Sequence, residues 1–206
     1  GHTQTGLVAA ASLVDYDANR IRKHEFTQPD KENDRVRQIE ALNAQTGPVM
    51  LAYPNAPEVD DILARCSAGA PDADATAGDG IRHSLWVVRD AGIQAQLTSA
   101  FDAMPALYIA DGHHRSAAAS RVTAARRAAN PRHTGEENYN YFLTVIFPHR
   151  QMQILAYNRV VADLNGMDAA GFLARLRENF SVEKSSTPVK PARPAEFGLY
   201  LAGEWY

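Results

Sequence analysis

The chain has 206 residues, a single cysteine at Cys66 and a formal net charge of −3. One cysteine excludes an intrachain disulfide and a thiolate metal cluster, and the mild acidity gives no overall drive toward nucleic acid or an anionic membrane. No apolar run approaches the ~20 residues needed to span a bilayer, and the sparse cysteine usage makes a reducing cytoplasm the expected setting.

The opening "TGLVAAASLVDY" predicts a strand ending near Asp15. It has no cationic stretch before its apolar part, as a signal peptide would. A missing initiator Met and an apolar end at "FGLYLAGEWY" suggest an internal fragment of a longer chain.

A densely charged stretch follows. Pro29 suits a first helical turn, with Thr27 or Gln28 before it and acids at Asp30, Glu32 and Asp34. Val36, Ile39 and Leu42 give an apolar stripe at helical spacing, and Gly47-Pro48 is expected to stop the helix. "PVMLAY" predicts a strand, and "PEVDDILARC" a helix with Val59, Ile62, Leu63 and Cys66 on one face. "APDADATAGDG" reads as a polar loop, with a hairpin around Asp79-Gly80 leading into the strand "IRHSLWVV".

Ile93, Leu97 and Phe101 mark the next helix, ended by Pro105. Then come a strand "ALYIAD", a helix over "HRSAAASRVTAARRAAN", a loop, and the strand "YFLTVIFP". "QILAYNRVV" is expected to be its hairpin partner. "DAAGFLARLRENF" reads as an amphipathic helix with Phe172, Leu173, Leu176 and Phe180 inward, and "GLYLAGEWY" as a final strand. Mixed strands and helices with hairpins predict an α+β (mixed α/β) fold with a mixed sheet and flanking helices, a single domain over 1–206.

The chemistry concentrates in "LYIADGHHRSAAASR". The strand ends at Asp111, Gly112 permits a tight turn, and His113, His114, Arg115 and Ser116 fall at the helix start. First-turn N–H groups lack partners and carry partial positive charge. Arg115 adds a fork of donors that matches phosphate, and the imidazoles add donors or a proton shuttle. Gly112, His113, His114, Arg115 and Ser116 are therefore candidate phosphate contacts. Asp111, His113 and His114 are candidate catalytic groups, and Asp111 a candidate holder of a metal ion. Each residue alone has a plain explanation: an N-cap, a turn, half an ion pair. Five together at a strand–helix junction favour a site. Zinc is a second option, but adjacent histidines diverge and no His-Glu-x-x-His helix is present.

A second group lies in "KHEFTQPDKENDR": His24, Glu25, Lys31, Asp34 and Arg35. Lys31 and Arg35 repel at i,i+4, as do Asp30 and Asp34, so partners on another element are expected. The helix that starts at the glycine turn would supply them. Arg115, Arg121, Arg126, Arg127 and Arg132 recur along that helix and its exit, but without interleaved aromatics, which reads as a solvated face more than a nucleic-acid surface.

"IRKHEFTQPDKENDR", "AQTGPVMLAY", "LYIADGHHRSAAA", "YNRVVADLNG" and "GLYLAGEWY" together resemble the prokaryotic family called domain of unknown function 1015. The "DGHHR" segment is similar to the Gly-x-His-Arg signature of the ParB/sulfiredoxin superfamily, which includes free-serine kinases. The resemblance implies a ParB/sulfiredoxin-like fold. It also implies a nucleotide (ATP or ADP) held with Mg²⁺, and phosphoryl transfer or hydrolysis, with free serine or another small hydroxyl compound as acceptor. Asp111 would be the acid at the phosphate site, Gly112 the close-approach turn, and His113, His114 and Arg115 the phosphate contacts. The glutamate base of those kinases would lie either in a more N-terminal part of the longer chain or at Glu25. The alternative is a ParB-type nucleotide-gated module for DNA or a protein partner. DNA is disfavoured by the acidic balance, no membrane contact is expected, and oligomeric state is open.

Overall fold

The structure, a computed structural model, describes all residues 1–206. The chain forms a mixed α/β protein that packs as two compact units, Gly1–Ile154 and Leu155–Tyr206. No helix is long and apolar enough to cross a membrane.

The first unit is built on a five-stranded sheet. Its strands are β1 (Leu7–Ser12), β2 (Ile21–Arg22), β3 (Val49–Tyr53), β6 (Leu107–Asp111) and β7 (Tyr141–Pro148), in the order β1-β7-β3-β6-β2. β1 runs antiparallel to β7, β7 parallel to β3, β3 antiparallel to β6, and β6 parallel to β2. The two central strands alternate strictly: Val49, Leu51 and Tyr53 are buried on β3, and Phe142, Thr144, Ile146 and Pro148 on β7. Period-two burial of this kind fixes register, because a one-residue slip would turn every core side chain outward.

Helices cover this frame. α1 (Leu13–Asp17) follows β1 directly, because the Ser12 hydroxyl accepts from the Val14 and Asp15 N–H groups and caps a new helix. The strand therefore ends at Ser12, three residues before its expected end at Asp15. α2 (Pro29–Leu42) begins at Pro29 as expected, but stops at Asn43, which adopts φ 49°. Asparagine tolerates that left-handed conformation, so the helix closes before the Gly47-Pro48 stop. Leu42 is 56% exposed and does not join the expected stripe, whereas Val36 and Ile39 are half-buried.

α3 (Pro57–Cys66) buries Val59, Ile62 and Leu63 against α4 (Ala91–Asp102), whose N-terminus is capped by Asp90 accepting from Ile93 N–H. Part of the expected polar loop is a strand: β4 (Ala73–Thr76) pairs with β5 (Arg82–Leu85) in an exposed hairpin. α5 (His113–Ala129) packs on α1 and α2.

The sheet gives one further departure. β7 has β1 and β3 as neighbours, and residues 152–161 form no strand. Ile154, Leu155, Tyr157 and Val160 are each more than three-quarters exposed, so the apolar pattern there reflects no hairpin. The second unit holds α6 (Ala169–Leu176), capped by Asp168, with Leu173 buried and Phe180 half exposed rather than inward. The final stretch is two short strands, β8 (Tyr200–Leu201) and β9 (Glu204–Trp205), turned at Ala202 and Gly203, both at positive φ.

A candidate phosphate-binding cleft at the head of α5

β6 delivers Asp111 to the sheet edge, and Gly112 turns the chain into α5 with φ 101°. An alanine there would be strained, and its Cβ would stand 3.2 Å from the Val49 Cα. The glycine thus lets the α5 N-terminus press against β3. No side chain caps it: the Ser116 N–H is the first to close, onto the Gly112 carbonyl at 3.0 Å. The amides of His113, His114 and Arg115 have no helical acceptor.

These residues wall a cleft of about 720 Å³. From the loop before α2 and from α2 itself come Glu25, Asp30, Lys31, Asp34, Arg35, Gln38 and Ile39; from the loop before β3 come Gln45, Thr46 and Gly47; from β6 and α5 come Asp111, Gly112, His113, His114 and Arg115. The cleft therefore gathers nine of the eleven residues singled out in the sequence. Ser116 is not among them: it is fully buried and its hydroxyl donates to the His113 carbonyl at 3.0 Å, so it cannot touch a ligand there. His24 is the other. Its ring lies edge-on against His113, with centroids 4.4 Å apart.

His113 is only 4% exposed. Its Nδ1 lies 3.4 Å from a Glu25 carboxylate oxygen, and its Nε2 receives the His24 N–H at 3.5 Å. Burial, reinforced by the neighbouring His24, pushes its pKa below the usual imidazole value, against the opposing pull of Glu25 and Asp111. His113 is thus neutral at neutral pH; with Nε2 accepting the His24 N–H, its one ring N–H lies on Nδ1 toward Glu25, so the ring has no free donor for a phosphate. His114 Nε2 accepts from the Gln28 N–H at 3.1 Å. The two histidines diverge, each gripping a different point of the segment that leads into α2.

Arg115 is held at both ends of its fork, by the Asp111 carboxylate and by the Pro48 carbonyl. The Asp111 side chain is 70% exposed, so this pair contributes at most about 1 kcal/mol to stability. Asp111 belongs to no group of three metal-type donors, and none forms elsewhere.

The partners expected on α5 for Lys31, Arg35, Asp30 and Asp34 are not formed; the contacts between the two helices come from Glu32 and Asn33. Arg121 reaches Glu32 at 3.2 Å and Asn33 at 2.9 Å. Asp34 instead pairs within its own helix, with Arg35 at 3.1 Å and Arg37 at 3.5 Å. Of the basic run on α5, Arg121 and Arg127 are both engaged internally, Arg127 with Asn140.

Six further residues line the cleft without belonging to either motif's candidate set: Asp30, Gln38, Ile39, Gln45, Thr46 and Gly47. Gln45 is the most informative of them. Its amide donates to the Tyr141 carbonyl at 3.0 Å and accepts the Leu143 N–H at 2.9 Å, imitating one rung of a strand against β7. That rung fixes the loop carrying Thr46 and Gly47, and the space beside Gly47 is filled by the Arg115 guanidinium. No local sequence signal marks a glutamine for such a task.

Fold and cleft together define a mixed α/β protein with an uncapped helix start, cations and carboxylates converging at one strand–helix junction. Over residues 1–206 the chain matches the family described as "Protein of unknown function (DUF1015)", and it belongs to that family. No curated protein and no solved structure matches it.

Proposed function

We propose that this cleft binds the phosphate groups of a nucleotide and supports phosphoryl transfer to a small hydroxyl compound, free serine being the first candidate. The relation to ParB/sulfiredoxin-like proteins and their serine kinases is part of the same proposal. The observation that carries it is the set of free α5 amides opening beside Lys31, Arg35 and Arg115 into the same cleft as Glu25 and Asp111. Oriented amides and cations bind the transferring group, and a nearby carboxylate accepts a proton.

In this reading the amides and Lys31 hold the phosphates. Arg115 exchanges its present partners for a phosphate oxygen. Glu25, 58% exposed and backed by neutral His113, takes the proton of the acceptor hydroxyl. The donor set builds no resident metal cage, yet Mg²⁺ is commonly held by one or two carboxylates plus substrate phosphates. Asp111 is the carboxylate suited to it, and the ion would supply charge neutralisation on the phosphate oxygens.

A thermal-shift panel of ATP, ADP and other nucleotides with and without Mg²⁺, followed by assay of free amino acids for phosphorylation, tests the proposal. Arg115→Ala should weaken nucleotide binding by roughly 1–2 kcal/mol, a charge-assisted contact discounted for partial exposure. Equal affinity in wild type and variant would count against the assignment of Arg115, and the absence of any nucleotide shift would reject the whole reading.

A further inference from the structure

α2 carries its charges in an order that the fold leaves unanswered. Asp30 and Asp34 are four residues apart, and so are Lys31 and Arg35, which stacks like charges one above the other along the helix. Gln38 continues the acidic row, Ile39 continues the basic one, and all six residues line the cleft. One wall of the cleft therefore consists of two parallel rows of opposite sign. At the second turn the rows neutralise each other, with Asp34 and Arg35 3.1 Å apart. At the first turn they do not: Asp30 and Lys31 enter no ion pair and no side-chain hydrogen bond, while the contacts to α5 use Glu32 and Asn33. An acid in the first turn meets the positive end of the helix dipole and by itself needs no explanation. A lysine there opposes the dipole, and an unpaired acid beside an unpaired cation on a cleft wall is the complement of a bipolar ligand.

The whole cleft repeats this imbalance. Four carboxylates, Glu25, Asp30, Asp34 and Asp111, share its walls with three cations, Lys31, Arg35 and Arg115. A phosphate monoester brings a charge of about −1.5 to −2 at neutral pH. Drawn to Lys31 and Arg115, it leaves Asp30 facing an anion with no cation between them, a repulsion that solvent screens only in part inside a cleft. A ligand with a cationic group a short distance from its phosphate removes that repulsion and adds a charge-assisted contact. Asp30 belongs to no group of three metal-type donors, so it offers no coordination cage for a divalent ion. An ammonium needs no cage: one carboxylate and water satisfy its three N–H donors.

Resting on the phosphate-site reading above, we infer that the acceptor is a hydroxyl compound that also carries an ammonium, an amino alcohol in class, and that Asp30 holds this ammonium as the specificity-determining residue of the site. Free serine meets the requirement through its amino group, and its carboxylate is not needed for recognition. Acceptors of glycerol type, which have the hydroxyl without the amine, leave Asp30 unanswered and are the poorer ligands.

Isothermal titration of the whole chain with phosphoethanolamine, glycerol phosphate and inorganic phosphate, each with Mg²⁺, separates the two levels. The first two are the products expected from an amino alcohol and from its amine-free counterpart. Wild type should bind phosphoethanolamine about fivefold more tightly than glycerol phosphate, the gain from one exposed charge pair. Asp30→Asn should bring phosphoethanolamine down to the affinity of glycerol phosphate without weakening glycerol phosphate or inorganic phosphate, and Asp30→Glu should keep the preference. Asp30 is exposed and partnerless, so its replacement leaves folding intact. Equal affinity for the two monoesters in wild type, a preference that survives in Asp30→Asn, or a parallel loss of inorganic phosphate in that variant overturns the role of Asp30 while the phosphate site stands. If wild type binds none of the three, both are overturned.

Discussion

His113 is a buried imidazole kept neutral, and that has a thermodynamic signature. Its pKa lies below 6.5 in the folded chain and near 6.5 once unfolded. Between those values the unfolded chain binds a proton that the folded chain resists, so stability falls as pH drops below about 6.5 and is flat above it with respect to this group. Urea midpoints at about pH 7.5 and 5.5 should therefore differ more in wild type than in His113→Gln, which lacks the titrating ring. Equal differences in the two proteins would show that His113 is not held neutral. The same residue limits what the motif reveals on its own. "DGHHR" marks the junction, but it does not say that one histidine is buried behind Glu25 and the other spent on the Gln28 N–H. Those assignments depend on a segment some 85 to 90 positions away in sequence, which only folding brings near.

At the scale of elements, the cleft depends on three segments meeting, and its least obvious support is the rung that Gln45 makes against β7. Gln45→Ala would leave the Leu143 N–H and the Tyr141 carbonyl without these partners, which costs about 1–2 kcal/mol at a part-buried strand edge. The loop before β3 should then exchange its amide hydrogens faster than the strand itself, a difference hydrogen exchange reads directly. Unaltered exchange at Thr46 and Gly47 would show that the loop is fixed by other means.

The elements differ in how openly the sequence declares them. Strands β3, β6 and β7 were legible because their apolar runs are bounded by Pro, Gly or Asp, and α2 and α3 because proline opens each one. Where the sequence misled, a local capping event or the sheet order decided. Ser12 cut β1 short, Asn43 ended α2 early, and β1 took the place beside β7 that residues 152–161 were expected to fill. Of the site, the glycine turn and its flanking charges were visible as a pattern. The Gln45 rung was not, since a lone glutamine has no local signature.

For the molecule as a whole, the apolar core formed by Leu13, Leu51, Tyr53, Ile109, Phe142 and their neighbours lies entirely within Gly1–Ile154. A chain ended after Ile154 should therefore keep a cooperative urea transition and the nucleotide response proposed for the cleft. Loss of cooperativity in that shortened chain would show that residues 155–206 are needed for the core.

The edge position of β1 also governs when this protein can acquire its shape. Ala9 accepts the Thr144 hydroxyl across a separation of 135 residues, and β1 pairs along its full length with β7. A nascent chain leaving the ribosome thus holds β1 as an unmatched edge strand until β7 has been made, and long-range pairings of this sort close slowly. Synthesis must run past Ile146 before the sheet can be completed, and until then the alanine-rich strand β1 is exposed to mispairing or to chaperone capture.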